Sequence, residues 1–129
     1  MKRRLISSGS PYEQIVGFSR AVRVGKHVYV AGTAPVMADG AEPPADAYGQ
    51  ACRCLDIIAA ALDEAGASLE DVVRTRVYLV RDEDFEQIGR AHGEVFRDIR
   101  PANTTLLAGG LLDPRWLVEI EAEAVVSGP

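Results

Sequence analysis

Apolar positions recur along this chain with two different periods. Ala47, Ala51, Cys54, Leu55, Ile58, Ala61, Leu62 and Ala65 fall at steps of three and four residues, which places them on one side of a 3.6-residue helix. The spacing predicts a helix over Asp46–Ala65, stopped by Gly66. Asp82–Phe96 predicts a second helix with an inner stripe of Phe85, Ile88, His92, Val95 and Phe96. Pro101 forbids helix soon after it. Other segments alternate with a period of two. In Asp71–Val80, Val73, Thr75, Val77 and Leu79 share one face, and Val72, Arg74, Arg76, Tyr78 and Val80 the other. In Leu117–Val126, Val118, Ile120, Ala122, Ala124 and Val126 stand opposite Glu119, Glu121 and Glu123. Lys2–Ser7, Ala21–Val24, His27–Gly32 and Asn103–Ala108 complete the predicted strands. Gly25-Lys26 is a two-residue hairpin signal between the second and third of the six. Ser8–Gln14, Met37–Pro44 and the Gly109, Gly110, Asp113, Pro114 segment read as loops.

The order strands, helix, strand, helix, strands implies an α+β fold: a two-layer mixed β-sheet with two helices on one face, in one domain spanning residues 1–129. The second sheet face would then present Arg23, Tyr29, Arg74, Arg76, Tyr78, Glu119, Glu121 and Glu123. It is too charged for a monomer core and too regular for a loop surface.

Charge and composition narrow the partners. A net charge of -5 disfavours nucleic acid, whose binders gather Lys and Arg on one surface. The basic start MKRRLISSGSPYE has no apolar segment behind it, so no secretory signal is expected. No run is long and apolar enough to span a bilayer. The expected setting is a reducing cytoplasm, with no membrane partner, and Cys52 and Cys54 as free, buried or half-buried thiols. The Asn103-Thr104-Thr105 glycosylation sequon carries no meaning in that setting. His27 and His92 lie far apart without ligand spacing, so no metal is expected. Gly-rich phosphate loops and nucleophile motifs are absent, and no cofactor is expected.

Candidate chemistry concentrates between Arg100 and Val126. Glu119 could serve as a general base, or as a strand carboxylate paired with Arg74 or Arg76; alternation alone does not separate it from Glu121 and Glu123. Asn103, Thr104 and Thr105 offer neutral donors and acceptors, which could orient a ligand or complete hydrogen bonds at a strand start. His92, on an apolar stripe, reads as a core histidine.

Gly17-Phe18-Ser19-Arg20-Ala21, His27–Gly32, Gly66–Val80, Arg100-Pro101-Ala102 and Val118–Ala122 together resemble the YjgF/RidA family of enamine/imine deaminases, long labelled translation inhibitors or endoribonucleases. The resemblance covers nearly the whole chain in order. It implies a chorismate-mutase-like fold and a homotrimer with clefts between subunits. It also implies that Glu119 activates the attacking water, that Phe18 lines the cleft, and that backbone groups of Ala31, Gly32 and Thr33 contact ligand or water. Three positions depart from the family pattern. Asn103 stands where the deaminases carry the arginine that grips the substrate carboxylate, Phe18 lacks the usual hydroxyl, and Gly89 replaces a frequent asparagine. Asn has no charge and no fork, so it cannot hold a carboxylate bidentately. A charged hydrogen bond contributes about 1.5–3 kcal/mol, enough to weaken such binding tenfold or more. Arg76, where the deaminases tend to have a small threonine, could restore the charge or neutralise Glu119 or Glu121. Phe18 and Trp116 could supply apolar walls. The expected function is hydrolysis of a small imine or enamine metabolite other than a simple 2-imino acid. A binding protein without turnover is the alternative, and an endoribonuclease a more distant one.

Overall fold

The computed structural model describes residues 2–127. Strands β1 (Arg3–Ile6), β2 (Ala21–Val24), β3 (His27–Thr33), β4 (Val72–Leu79), β5 (Ala102–Leu107) and β6 (Val118–Val125) form one sheet in the order β1-β2-β3-β6-β4-β5. All neighbours run antiparallel except β4 and β5, which are parallel and joined through helix α2 (Phe85–Phe96). Helix α1 (Ala47–Glu64) packs beside α2 on the same face. Between them lies one apolar core centred on β6, where Val118, Ile120, Ala122 and Ala124 are all buried. The two-layer α+β arrangement with a mixed sheet is therefore present.

Helix α1 follows its sequence stripe residue by residue. Ala47, Ala51, Cys54, Leu55, Ile58, Ala61 and Leu62 are buried. Asp46 caps the start, its side chain accepting from the Gly49 N–H at 3.1 Å. Gly66 leaves the helix at φ 79, a left-handed conformation that glycine adopts without penalty. Gln50 is buried within the stripe although it is polar. It donates to Pro44 O and Arg115 O and accepts from the Leu117 N–H at 2.8 Å, pinning the entry to β6. The sequence pattern gave no sign of that clamp.

Four predicted placements are corrected. The pairing of β4 with β6 shifts register between Val72 and Arg74, so Val72 is buried and Val73 exposed, the reverse of strict alternation. Arg23 lies opposite Val28 in the β2–β3 ladder, on the helix side rather than the second face. Its guanidinium donates to Ala65 O at 2.7 Å, and Arg4 reaches Glu64 O. Two cations thus satisfy the last carbonyls of α1, where the helix dipole is negative. Phe85 begins α2 with its ring exposed; the inner face there is carried by Ile88, Ala91 and Phe96. Glu13 and Gln14, expected as the end of the Ser8–Gln14 loop, instead open a single wide helical turn, Glu13–Gly17, closed by the Phe18 N–H on Glu13 O at 2.9 Å.

Candidate functional site

The outer sheet face separates its three carboxylates. Glu121 accepts from the Tyr78 hydroxyl at 2.8 Å and meets Arg76 at 3.3 Å. Glu123 meets the same Arg76 nitrogen at 3.3 Å and Arg74 at 3.7 Å. Among the described residues, Glu119 has neither a hydrogen-bond nor an ion-pair partner. It stands opposite Tyr78 in register and beside Gly32, where a Cβ would collide with its Oε2. Half-buried, its carboxyl is pushed above the usual range by burial, a shift opposed by the charge of Arg20 and reinforced by Glu121. Arg76 is therefore the shared cation of Glu121 and Glu123, and it does not pair with Glu119.

Backbone irregularity positions this carboxylate. The β3–β6 ladder slips between Val30 and Thr33, while on the other edge of β3 the Ala31 N–H bonds to Arg20 O at 3.0 Å and continues the β2–β3 register. Thr33 is fully buried and spends its hydroxyl on Ala31 O at 2.8 Å. The Gly32 carbonyl is taken by Arg20 Nη2 at 2.5 Å. Of this segment, Gly32 is the residue that abuts Glu119.

Asn103, Thr104 and Thr105 do not join Glu119 within one chain. Asn103 pairs with Thr75 in the parallel β4–β5 register, on the helix side of the sheet, while Glu119 is on the other. Asn103 Nδ2 donates to Thr75 Oγ1 at 3.0 Å, Thr105 Oγ1 donates to Asn103 Oδ1 at 2.9 Å, and Thr75 Oγ1 meets His92 Nε2 at 2.8 Å. Thr104 lies across from Arg76 and is exposed on the outer face. Phe18, Ala31 and Arg76 line an open groove of about 750 Å³ on that face, which also takes in Leu5 and Tyr29. Trp116 is half-buried just before β6, its N–H on Asp113 O at 3.0 Å.

The family model for endoribonuclease L-PSP matches residues 9–126. The chain belongs to this YjgF/RidA family. A RutC family protein of Pyrococcus abyssi is 34% identical over 96% of this chain and 98% of its own. An uncharacterized Streptomyces coelicolor protein is 41% identical over 94% of this chain and 90% of its own. Among solved structures, a Mycobacterium tuberculosis member of the YjgF/YER057c/UK114 family superposes with a TM-score of 0.89 at 42% identity, covering 97% of this chain and 100% of that one. Escherichia coli TdcF, solved with bound serine, superposes at 0.80 with 27% identity over 96% and 94%.

Within this YjgF/RidA chain, two features near the site escaped the sequence pattern. Arg20 sits in the link before β2, outside any periodic stripe, so periodicity does not mark it. The second is the hydrogen-bond chain from His92 to Thr105, which spans α2, β4 and β5 and has no local signature. His92 is half-buried against Phe96, ring centroids 4.7 Å apart, and burial pulls its pKa below the ordinary value of 6.5. The fold thus favours neutral imidazole, and the unfolded chain binds the extra proton as pH falls below about 6.5. Stability conferred by neutral His92 is complete above that pH and declines below it. The urea midpoint of the wild type should therefore fall more steeply between pH 7 and pH 5.5 than that of His92→Gln; parallel slopes would show that His92 titrates alike in both states.

No helix among the described residues is long and apolar enough to cross a membrane.

Proposed function

We propose that this protein hydrolyses a small imine or enamine in a cleft between copies of the chain assembled as a homotrimer, with Glu119 as general base. The observation that carries it is the lone status of Glu119: of three half-buried, striped carboxylates it is the one with no hydrogen-bond or ion-pair partner among the described residues, and burial raises its pKa above the ordinary value, the direction that suits a general base. Water attacks the imine carbon, Glu119 takes a proton from that water and passes it to nitrogen, and collapse of the adduct yields a carbonyl compound and ammonia. An enamine enters through its imine tautomer.

The placement of the side chains supports assembly. Asn103 and Thr105 stand on the helix side of β5, an edge strand, and Glu119 stands on the opposite face near the β3 irregularity. A cleft holding both needs one copy's outer face against another's edge. The outer face exposes Leu5, Tyr29 and Leu106, and Ile15 and Val16 of the helical turn are exposed as well, apolar surface of the kind that marks an interface. Sedimentation equilibrium should return three times the 13.9 kDa chain mass; a monomer would remove the cleft.

Ligand choice follows from Asn103. Its amide is held by Thr75 and Thr105 and presents no charge, so an uncharged amide or carbonyl on the ligand suits it better than a carboxylate. The test is a panel of imines generated in place, with and without carboxylates, followed by ammonia release. Acceleration should appear with the uncharged members; none across the panel overturns hydrolysis. The second reading, ligand binding without turnover, draws on the serine held by TdcF, and a ligand retained through purification with an inactive panel would favour it. An RNA-cleaving role has less support, since the net charge is -5.

A further inference from the structure

Arg20 is tied to the Glu119 site by both its backbone and its side chain. Its carbonyl accepts the Ala31 N–H at 3.0 Å, its N–H donates to Ile6 O at 2.8 Å, and its Nη2 donates to Gly32 O at 2.5 Å. The guanidinium is half-buried, and its Nε is out of reach of solvent with no hydrogen-bond partner among the described residues. A buried donor without a partner is unfavourable, so this side chain is held in place by something other than its own hydrogen-bond needs. On the other side of Gly32 stands the Glu119 carboxylate, close enough that no larger residue would fit at that position undisturbed. Cation and carboxylate converge on one glycine, yet they form no ion pair within 4.0 Å among the described residues.

We propose that Arg20 is the positioning residue of this site, its guanidinium fixed on the Gly32 carbonyl so that a permanent positive charge stands beside the Glu119 carboxylate without pairing with it. The inference rests on Glu119 being the base, and it adds the group that makes that base usable. A carboxylate clamped bidentately by arginine has its lone pairs committed and its basicity depressed. A carboxylate buried with no cation nearby stays protonated and cannot accept a proton from water. A fixed charge at a distance avoids both, favouring ionisation while leaving the lone pairs to water.

The other groups around Glu119 do not supply that charge. Tyr78 faces it from β4 and gives its hydroxyl to Glu121. Glu121, two residues along β6, adds repulsion and is already engaged with Arg76. Cys54 approaches from α1; burial first, and then the Glu119 charge, push its thiol far up, so it remains protonated. Arg20 is the cation whose field opposes the effect of burial on Glu119, and Glu119 is the foremost charge opposing the effect of burial on Arg20.

The test needs no substrate. Carbon NMR follows the Glu119 side-chain carboxyl through a pH titration in wild type, Arg20→Gln and Arg20→Lys. The midpoint should rise in Arg20→Gln and return toward wild type in Arg20→Lys; an unmoved midpoint in Arg20→Gln, or equal shifts in both variants, overturns the assignment. If Arg20→Gln does not fold, the wild-type protein still decides. Its Arg20 Nε resonance should shift with the Glu119 midpoint, and an Nε signal indifferent to that titration overturns the proposal. An inactive imine panel with an Arg20-dependent midpoint would sink hydrolysis and leave Arg20 standing; an active panel with an Arg20-independent midpoint would do the reverse.

Discussion

Glu119→Gln should abolish imine hydrolysis while the protein stays folded and assembled, with a rate loss on the order of 10²–10⁴-fold, the usual range for a general base. Glutamine keeps the shape of the side chain but cannot take a proton from water. The substitution breaks no hydrogen bond or ion pair, because Glu119 has none among the described residues. The stability effect even has a definite sign. Burial raises the Glu119 pKa above its ordinary 4.5, so the folded state binds more protons than the unfolded chain in the window just above that value. Folding stability falls as pH rises through that window, and the burial penalty is complete above the folded pKa. Glutamine carries no such penalty, so the variant should match or exceed wild type in urea midpoint at pH 7. Glu121→Gln is the contrasting control. It removes one of the two ionic partners of Arg76 and the charged acceptor of the Tyr78 hydroxyl, so its effect should fall on stability and assembly rather than on the chemical step. Steady-state kinetics beside urea melts of both variants separate the two roles. Equal rate losses in Glu119→Gln and Glu121→Gln would mean that the whole carboxylate stripe acts through structure.

That contrast also shows what the sequence can and cannot disclose. The α1 stripe, the Gly25-Lys26 hairpin and the striped faces of β6 were legible because local periodicity reports burial directly. Val72 and Val73 were not, because one extra residue in a ladder inverts the parity of everything before it. Arg23 was misplaced for a related reason: in a four-residue strand, the face is set by the partner strand, here Val28. The three glutamates were indistinguishable as a pattern and became distinct only once β4 supplied Arg74, Arg76 and Tyr78 across from them. The resemblance implies that Asn103 stands where the deaminases carry an arginine. The attachment of Asn103 to Thr75, and through Thr75 to His92, and its separation from Glu119 by the thickness of the sheet, are matters of register.

Ile120→Ala, one residue from the proposed base, should have the largest effect on stability, about 2–5 kcal/mol. Ile120 is fully buried in β6, which lies between β3 and β4, and is in register with Thr33 on one side and Val77 on the other. Its side chain points into the core beneath α1, where Ile58 and Leu62 are equally inaccessible. Truncation removes methyl groups that water cannot replace, and a core held between a sheet and an 18-residue helix can close only part of the resulting cavity. Against a total of about 5–15 kcal/mol for an ordinary domain, that loss should lower the urea midpoint clearly while leaving the slope unchanged. Turnover per folded molecule should survive, because Gly32, Arg20 and the Glu119 carboxylate are on the far side of the strand. A cost below 1 kcal/mol would mean that β6 is not packed under α1 as described. A loss of turnover in the fully folded variant would mean instead that the β3 irregularity opposite Ile120, where Thr33 is in register with it, needs the core beneath it to hold Gly32 against the base.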